Sequence, residues 1–285
     1  MSPDLTLEPS STFQCISIFG SSDKKHKLKN STPQITASSL QIISAEIICR
    51  DDAVICGVEF FNLCFLSLDP KIEIHWNVED GSRVKSGDKI CRLKGNTRTI
   101  VTAERAALNF LQILSATATQ TNYIVSLINS TNAKLLDTRK TIPGLRKAQK
   151  YAVKCGGGVN HRMGLYDCIM LKENHILSIG SLEQLIKNAI NQFPKTPIIV
   201  EVESLKELRS ALLMKGIKRI LCDNFSLKDL REAVKISEGI CPLEASGGIS
   251  EINIMDYART GVDYISIGSI TKDIKSIDLS LRFCS

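Results

Sequence analysis

The sequence feature that most restricts the fold is a regular alternation of short apolar segments and longer amphipathic segments after Asn132. The short segments have the length of buried strands, and they cover residues 134–136, 168–171, 198–202, 219–222, 243–245 and 264–267. Most segments between them carry apolar residues at helical spacing, at 181–191, 204–215, 226–237 and 252–260. Such βαβ units predict an α/β fold with a parallel sheet, and six strands approach the number that closes a barrel.

Polar or glycine residues follow every predicted strand. In chain order they are Arg139 and Lys140; Lys172; Glu201; Asp223; Ser246, Gly247 and Gly248; and Gly268 and Ser269. The carboxyl ends of the strands in a (β/α) barrel meet at one mouth, so we expect these residues to form a single active site.

The balance of charge indicates an anionic ligand. The chain of 285 residues has 36 Lys and Arg against 30 Asp and Glu, a surplus that suits either a nucleic acid or a small anion. The cations expected near the mouth are Arg139, Lys140, Arg162 and Lys172, and a cluster of this kind is costly unless its ligand is strongly anionic. A second basic cluster, at 24–29, lacks interleaved aromatic residues and is interpreted as a solvated terminus.

Phosphate and magnesium chemistry fit the remaining mouth residues. The Ser246-Gly247-Gly248 segment before a helix predicts a cradle of backbone N–H groups for phosphate. Glu201 and Asp223 offer hard oxygen ligands for Mg²⁺ bound mainly through ligand phosphates, although they are equally able to pair with nearby cations. Zinc, Walker, dinucleotide-binding and nucleophile-elbow motifs are absent from the sequence. The residues alone therefore predict an enzyme that binds a substrate with carboxylate and phosphate groups.

Cysteine usage and the N-terminus indicate a cytoplasmic protein. Several of the ten cysteines lie in apolar runs, and none has CxxC spacing, which is typical of buried, reduced thiols: Cys49, Cys56, Cys64, Cys168 and Cys222. The sequence has neither the basic and apolar start of a signal peptide nor about 20 consecutive apolar residues, so no membrane association is expected.

The N-terminal third of the chain has a different sequence pattern. Residues 35–100 are short apolar runs between turn signals, which predicts strands. A strong helix follows, and we expect Thr102 to cap it and Arg105 to lie in its first turn. A cation is disfavoured there, so this placement indicates either a nearby anion or a solvated side chain.

The motifs together resemble those of the quinolinate phosphoribosyltransferase family. The stretch Asp137-Thr138-Arg139-Lys140-Thr141-x-Pro143-Gly144-Leu145-Arg146 resembles the family signature. Further matches follow in order: Gly156-Gly157-Gly158-x-Asn160-His161-Arg162-x-Gly164-Leu165-x-Asp167, Lys172-x-Asn174-His175, Glu201-Val202-Glu203, Asp223-Asn224, and Ser246-Gly247-Gly248-Ile249. The resemblance extends from about Ala45 to the C-terminus.

The resemblance implies a reaction and an architecture. Quinolinate and phosphoribosyl pyrophosphate (PRPP) would give nicotinate mononucleotide, pyrophosphate and CO₂, with Mg²⁺ required. The subunit would have an N-terminal α/β sandwich (1–115), an incomplete TIM-like barrel carrying the site (116–272) and a C-terminal segment returning to the first domain (273–285). The subunits would form at least a homodimer, in which the helix carrying Arg105 completes the neighbouring site.

The resemblance also assigns residue roles. The carboxylates of quinolinate would be held by Arg139, His161, Arg162 and Lys172, with Arg105 from the neighbouring subunit. The catalytic residues would be Lys140, Glu201 and Asp223: Lys140 contacts PRPP, and the two carboxylates bind Mg²⁺ and the ribose hydroxyls. The 5′-phosphate side of PRPP would be held by Ser246, Gly247, Gly248, Gly268 and Ser269.

Two other functions remain open from the sequence. The chain also fits a related phosphoribosyltransferase-like protein of molybdenum-transport operons, which acts on another anionic substrate. A non-enzymatic anion or nucleic-acid binder would instead use the basic cluster at 24–29, and it predicts binding with a steep salt dependence. The quinolinate hypothesis predicts no nucleic-acid partner.

Overall fold

The structure is a computed structural model that describes residues 41–172 and 181–284. The basic cluster at 24–29 and His175 lie outside these residues. The described residues fold into two compact units: unit 1 holds residues 41–119, 143–148 and 275–284, and unit 2 holds 120–142, 149–172 and 181–274.

Unit 1 is built on an antiparallel sheet of four strands in the order β12-β1-β5-β3, with a small pair β2-β4. Its elements are β1 (Ile42–Cys49), β2 (Ala53–Val54), α1 (Val58–Leu66), β3 (Glu73–Trp76), β4 (Arg83–Val84), β5 (Lys89–Asn96), the first part of α2 (Thr97–Leu127) and β12 (Leu279–Phe283). Alternate residues of β1, such as Ala45 and Ile47, are fully buried, as expected for a strand with one face on the core. Because β12 pairs with β1, the end of the chain lies in unit 1.

The helix α1 lies inside the region that the sequence predicted as strands. Phe60, Phe61, Cys64 and Phe65 are its buried residues. A run this short and this apolar has no clear period, so the sequence pattern does not separate a buried helix from a buried strand.

The prediction that Thr102 caps the long helix is wrong. Helix α2 begins at Thr97, directly after β5, and the Asn96 side chain accepts a hydrogen bond from the backbone N–H of Arg98 at 2.9 Å. The Thr102 hydroxyl donates to the carbonyl of Arg98 within the helix, at 2.7 Å. Arg105 therefore lies beyond the first turn, where the helix dipole does not disfavour a cation.

Unit 2 contains a six-stranded parallel sheet in the order β6-β11-β10-β9-β8-β7. The strands are β6 (Lys134–Leu136), β7 (Ile169–Leu171), β8 (Ile198–Val202), β9 (Ile217–Asp223), β10 (Leu243–Ser246) and β11 (Tyr264–Ser266). Val159 adds one parallel bridge to Leu136 beyond β6. In the described part of the chain no pairing joins β7 to this other edge, so the sheet forms an incomplete TIM-like barrel. The predicted α/β class and architecture are confirmed.

The helices of unit 2 agree closely with the amphipathic segments of the sequence. They are α4 (Leu182–Gln192), α5 (Leu205–Leu212), α6 (Leu227–Ser237) and α7 (Ile254–Ala258), joined by α3 (Arg146–Cys155), whose first residues lie in unit 1, and α8 (Ser269–Lys272). Ser181, Ser204 and Ser226 cap α4, α5 and α6, because each side chain accepts the backbone N–H three residues later. Serine before an amphipathic run therefore marked these helix starts correctly.

Alternation along the parallel strands decides which side chains reach the inside of the barrel. Val200, Ile220 and Ala245 belong to the main core of unit 2. Their neighbours Glu201 and Leu221 face the opposite side of the sheet. The mouth carboxylates consequently point into the barrel.

Two expectations from the sequence concern the cysteines and membrane-spanning helices. The five cysteines singled out in the sequence are all buried, and burial raises the pKa of the Cys222 thiol to about 12. Within the described residues, no helix combines the length and apolarity needed to cross a bilayer.

Candidate active site

A cavity of about 310 Å³ lies at the carboxyl ends of the parallel strands of unit 2. It is lined by Thr138, Arg139, Lys140, His161, Arg162, Met170, Lys172, Glu201, Leu221, Asp223, Glu244, Ser246 and Ser266. The structure thus brings together the predicted residues Arg139, Lys140, His161, Arg162, Lys172, Glu201, Asp223 and Ser246. Their assigned roles stay predictions, but the expected single site at one mouth is present.

The predicted glycines border this cavity rather than line it. Gly247 has a φ of +99°, and a Cβ at this position would lie 2.1 Å from Asn224 Oδ1 and 2.9 Å from the Asn224 nitrogen. A Cβ on Gly268 would lie 3.1 Å from Cδ of Lys140. Gly247 therefore requires the absence of a side chain. At Gly268 the flexible Lys140 side chain would have to give by only a few tenths of an ångström, so the glycine there marks a close approach to a residue that lines the cavity.

Gly248 and Ser269 are more loosely surrounded. Gly248 has a φ of +61°, and a Cβ there would meet no atom within 4 Å. Ser269 begins the short helix α8, directly after Gly268. Both residues follow lining or bordering residues in sequence and stay candidates for the PRPP side.

Arg105 does not belong to this cavity. It is exposed on the part of α2 that lies in unit 1. Its contribution to a neighbouring subunit stays a prediction.

The cation cluster has an electrostatic cost that burial increases. The pKa of Arg162 is lowered, first by burial of the guanidinium and then by the charge of Arg139. The Arg162 Nη1 donates to the carbonyl oxygen of Cys168 at 3.1 Å, which fixes the direction of the side chain. Two mutually repelling guanidinium groups in one pocket favour a ligand with carboxylate or phosphate groups.

Lys172, directly after β7, forms an ion pair with a residue of the neighbouring strand β8. Its Nζ lies 2.5 Å from Oε2 of Glu201. The open alternative from the sequence, that a mouth carboxylate pairs with a nearby cation, is therefore realised for Glu201. Asp223 instead accepts a hydrogen bond from the side-chain amide of Asn224 at 2.9 Å.

Buried and partly buried hydrogen bonds hold the backbone next to Lys140. The Thr271 hydroxyl donates to the Lys140 carbonyl at 2.7 Å, and the Ile142 N–H donates to Oε1 of Gln149 at 2.8 Å. The Gln149 amide in turn donates to the Thr271 carbonyl at 2.7 Å. The exposed Lys140 side chain thus projects from a backbone that is fixed on both sides.

Glu244, which was not among the predicted site residues, lies in β10 and forms part of the cavity wall. Its carboxylate is fully buried, with Oε2 at 2.7 Å from Nε of Arg219 and 3.4 Å from Nε2 of His161. Burial alone would raise the pKa of Glu244, but the polar contact with His161 and the charge of Arg219 outweigh it, and the pKa lies below its usual value. A charged residue between apolar strand residues was the available signal.

Glu244 faces a defined edge of His161. The backbone N–H of Arg162 donates to Nδ1 of His161 at 2.7 Å, so Nδ1 is an acceptor and the ring proton of the neutral imidazole is on Nε2. Nε2 is the atom that faces Glu244. The carboxylate therefore orients the imidazole that lines the cavity.

Comparisons with known proteins show the family of the chain. The family model for the C-terminal domain of quinolinate phosphoribosyl transferase matches residues 117–282, and the model for its N-terminal domain matches residues 31–115. The nicotinate-nucleotide pyrophosphorylase [carboxylating] of Mycobacterium leprae is 38% identical over 88% of this chain and 89% of its own length. A probable enzyme of the same name from Bacillus subtilis is 37% identical over 88% of each chain.

A solved structure gives the same result for the fold. The nicotinate-nucleotide pyrophosphorylase from Francisella tularensis superposes with a TM-score of 0.92 at 44% identity, over 97% of this chain and 98% of that one. Both domains of the family model, in order, and similarity over nearly the whole length place the chain in one family. The chain belongs to the quinolinate phosphoribosyltransferase family.

Proposed function

We propose that this enzyme transfers the phosphoribosyl group of PRPP to quinolinate and removes one carboxylate, giving nicotinate mononucleotide, pyrophosphate and CO₂. One observation carries the proposal: four cations and three carboxylates, one of them the buried Glu244, gather around a cavity at the mouth of the barrel. A dicarboxylate and a pyrophosphate ester together supply the negative charge that such a cluster requires.

The cations that line the cavity differ in the geometry with which they can bind an anion. Arg162, held by its bond to the Cys168 carbonyl, and Arg139 present planar guanidinium groups that suit bidentate binding of the quinolinate carboxylates. Lys172 adds a point charge, and His161 adds a polar side chain, to the lining of the same cavity. Desolvation of Arg162 strengthens its attraction to a carboxylate.

The residues present fit Mg²⁺ bound chiefly by substrate. Glu201 and Asp223 both line the cavity, and each uses one carboxylate oxygen in the contacts described above. The described residues contain no group of three His, Cys, Asp or Glu that would hold a metal alone. Mg²⁺ characteristically takes one or two protein carboxylates and completes its shell with phosphates and water. Glu201 and Asp223 would hold it, and when bound it would offset charge on the pyrophosphate.

The chemistry makes few demands on the protein. The pyridine nitrogen attacks the anomeric carbon of PRPP, the bond to pyrophosphate breaks, and Lys140 stabilises charge on the leaving group. The carboxylate next to the quaternised nitrogen then leaves as CO₂, its bonding electrons remain on the ring carbon, and that carbon takes up a proton. The arrangement supplies positioning and charge.

The assembly is part of the same proposal. Arg105 is exposed on unit 1, and we expect it to bind quinolinate in the site of a second subunit, which makes the active form at least a homodimer. The expected setting is the cytoplasm, in keeping with the buried thiols.

The test is direct. Purified protein is supplied with quinolinate, PRPP and Mg²⁺, and CO₂ and nicotinate mononucleotide are measured together. Parallel reactions replace quinolinate by nicotinate, which lacks the carboxylate that leaves, or omit Mg²⁺. We expect both products only in the complete reaction. Folded dimer that forms neither product would refute the proposal.

Matched variants test the site itself. Arg139→Ala and Lys172→Ala remove a cation that lines the cavity, and we expect turnover to be lost without unfolding. Arg209→Ala on the exposed face of α5 and Lys187→Ala on α4 remove exposed cations elsewhere in unit 2. Full activity in both site variants, or an equal loss in the control variants, would contradict the assignment.

A further inference from the structure

A buried ion pair lies behind the wall of the cavity. Asp137 directly follows β6, Lys150 lies on α3, and the Lys150 ammonium contacts Oδ1 of Asp137. The two side chains are 0% and 1% exposed, so neither charge reaches water or a ligand in the cavity. Neither residue has a role in the chemistry proposed above.

Both charges hold the backbone of the loop that carries His161. Asp137 Oδ1 accepts the His161 N–H at 2.8 Å, and Lys150 Nζ donates to the His161 carbonyl at 3.1 Å. The side-chain amide of Asn160, in the orientation that satisfies its donor, donates to Asp137 Oδ2 and to the Lys150 carbonyl, each at 2.8 Å. Residues 160 and 161 are thus fixed from both sides.

This network links two loops that carry like charges. Arg139 comes two residues after Asp137, and Arg162 comes directly after His161. The positive charge of Arg139 contributes to the lowered pKa of Arg162, because it disfavours a second positive charge nearby. Since the guanidinium groups repel each other, a fixed spacing of the two loops needs a link that does not depend on the ligand.

Stability alone does not explain the pair. Replacing a buried ion pair by apolar residues of similar size is often neutral or stabilising, whereas removing one partner leaves a costly unpaired charge. The loop after Val159 pairs with no strand of the described sheet before β7, so its position depends on the side-chain network.

We propose that the Asp137–Lys150 pair is a positioning device for the dicarboxylate substrate: it holds Arg162 and His161 at the spacing from Arg139 that two carboxylates on one ring require. The inference rests on the proposed function, because it takes quinolinate as the ligand. A misplacement of about 1 Å is enough to cost on the order of 100-fold in a positioned reaction.

The test uses the double variant Asp137→Leu/Lys150→Met. It removes both charges together, so that no unpaired charge is left in the buried site. Binding of quinolinate and of PRPP with Mg²⁺ is measured by calorimetry on the full-length protein. We expect the Kd of quinolinate to rise about 10- to 100-fold and the Kd of PRPP to stay within roughly threefold. Of the PRPP residues only Lys140 lies on the loop after Asp137, and its carbonyl is held separately by Thr271. Leu230→Ala, which opens a cavity in the buried core at α6, serves as the control for lost stability.

The outcomes separate the two proposals. Wild-type protein that binds no quinolinate would refute the proposed function. Wild-type protein that binds quinolinate, together with a double variant that binds it equally well or loses both ligands to the same degree, would overturn the positioning role. If the double variant does not fold, Asn160→Ala removes hydrogen bonds of the same network without touching a charge. It should raise the quinolinate Kd roughly threefold to tenfold, and an unchanged Kd there would also overturn the inference.

Discussion

The substitution Gly247→Ala tests whether the glycine pair after β10 is required by its geometry. Gly247 has a φ of +99°, outside the left-handed region that L residues tolerate, so a side chain costs about 1–3 kcal/mol in backbone strain. The new Cβ would lie 2.1 Å from Asn224 Oδ1 and 2.9 Å from the Asn224 nitrogen. Displacing that backbone adds about 1–3 kcal/mol of overpacking. The expected loss of stability is therefore about 2–6 kcal/mol.

Gly248→Ala is the matched control in the same loop. Its φ of +61° lies in the left-handed region, and its Cβ would meet nothing within 4 Å, so we expect a loss of only about 1–2 kcal/mol. Thermal unfolding followed by circular dichroism gives the comparison, at about 2–4 °C of Tm for each kcal/mol. Because Asn224 follows Asp223, the Gly247 variant should also weaken PRPP binding more than the control does. Equal losses of Tm in the two variants would refute the argument from close approach.

Three further predictions concern the site wall and the thiols. Arg162→Lys removes the guanidinium that bonds to the Cys168 carbonyl, so the KM for quinolinate should rise about 10- to 100-fold, as for a charged hydrogen bond worth ~1.5–3 kcal/mol; an unchanged KM would contradict this role. The folded pKa of Glu244 lies below its usual 4.5, so its stabilisation is present above that pH and is lost as the pH falls through the lower folded value. In Glu244→Gln the Tm should therefore fall less steeply than in the wild type as the pH drops below about 4.5. The same dependence of Tm on pH in both proteins would contradict this role of Glu244. Burial raises the thiol pKa values of Cys91 and Cys222 to about 12, so mass spectrometry after a thiol reagent at pH 8 should find both unmodified in the native protein and labelled after denaturation.

Much of the second unit follows from local sequence pattern. Each predicted parallel strand from 134–136 to 264–267 overlaps an observed one, because a strand buried on both faces leaves an uninterrupted apolar run that turn signals delimit. The serines at 181, 204 and 226 marked helix starts for an equally local reason, since a cap is made within one turn. The polar residue after each strand identified most of the cavity, because parallel strands send their carboxyl ends to one side.

Other features depended on interactions between distant segments. Helix α2 begins at Thr97 because β5 pairs with β1 as far as Asn96, and the apolar period of the helix did not reveal this start. Glu244 became visible as a site residue only when the barrel placed it beside Arg219 and His161. Asp137 and Lys150 are 13 residues apart in sequence, and nothing local indicates that the two charges meet.

The sequence by itself determined the class of fold, the position of the mouth and most of the residues that carry charge there, because these depend on period, strand length and residue type. The tertiary structure decided which charges form pairs within the protein and which of them share one cavity. It paired Lys172 with Glu201, buried Asp137 against Lys150, and set Arg139 and Arg162 in the same pocket. The physical reason is that the strength of an ionic interaction depends on distance and burial, and both are set by the packing of segments that are distant in sequence.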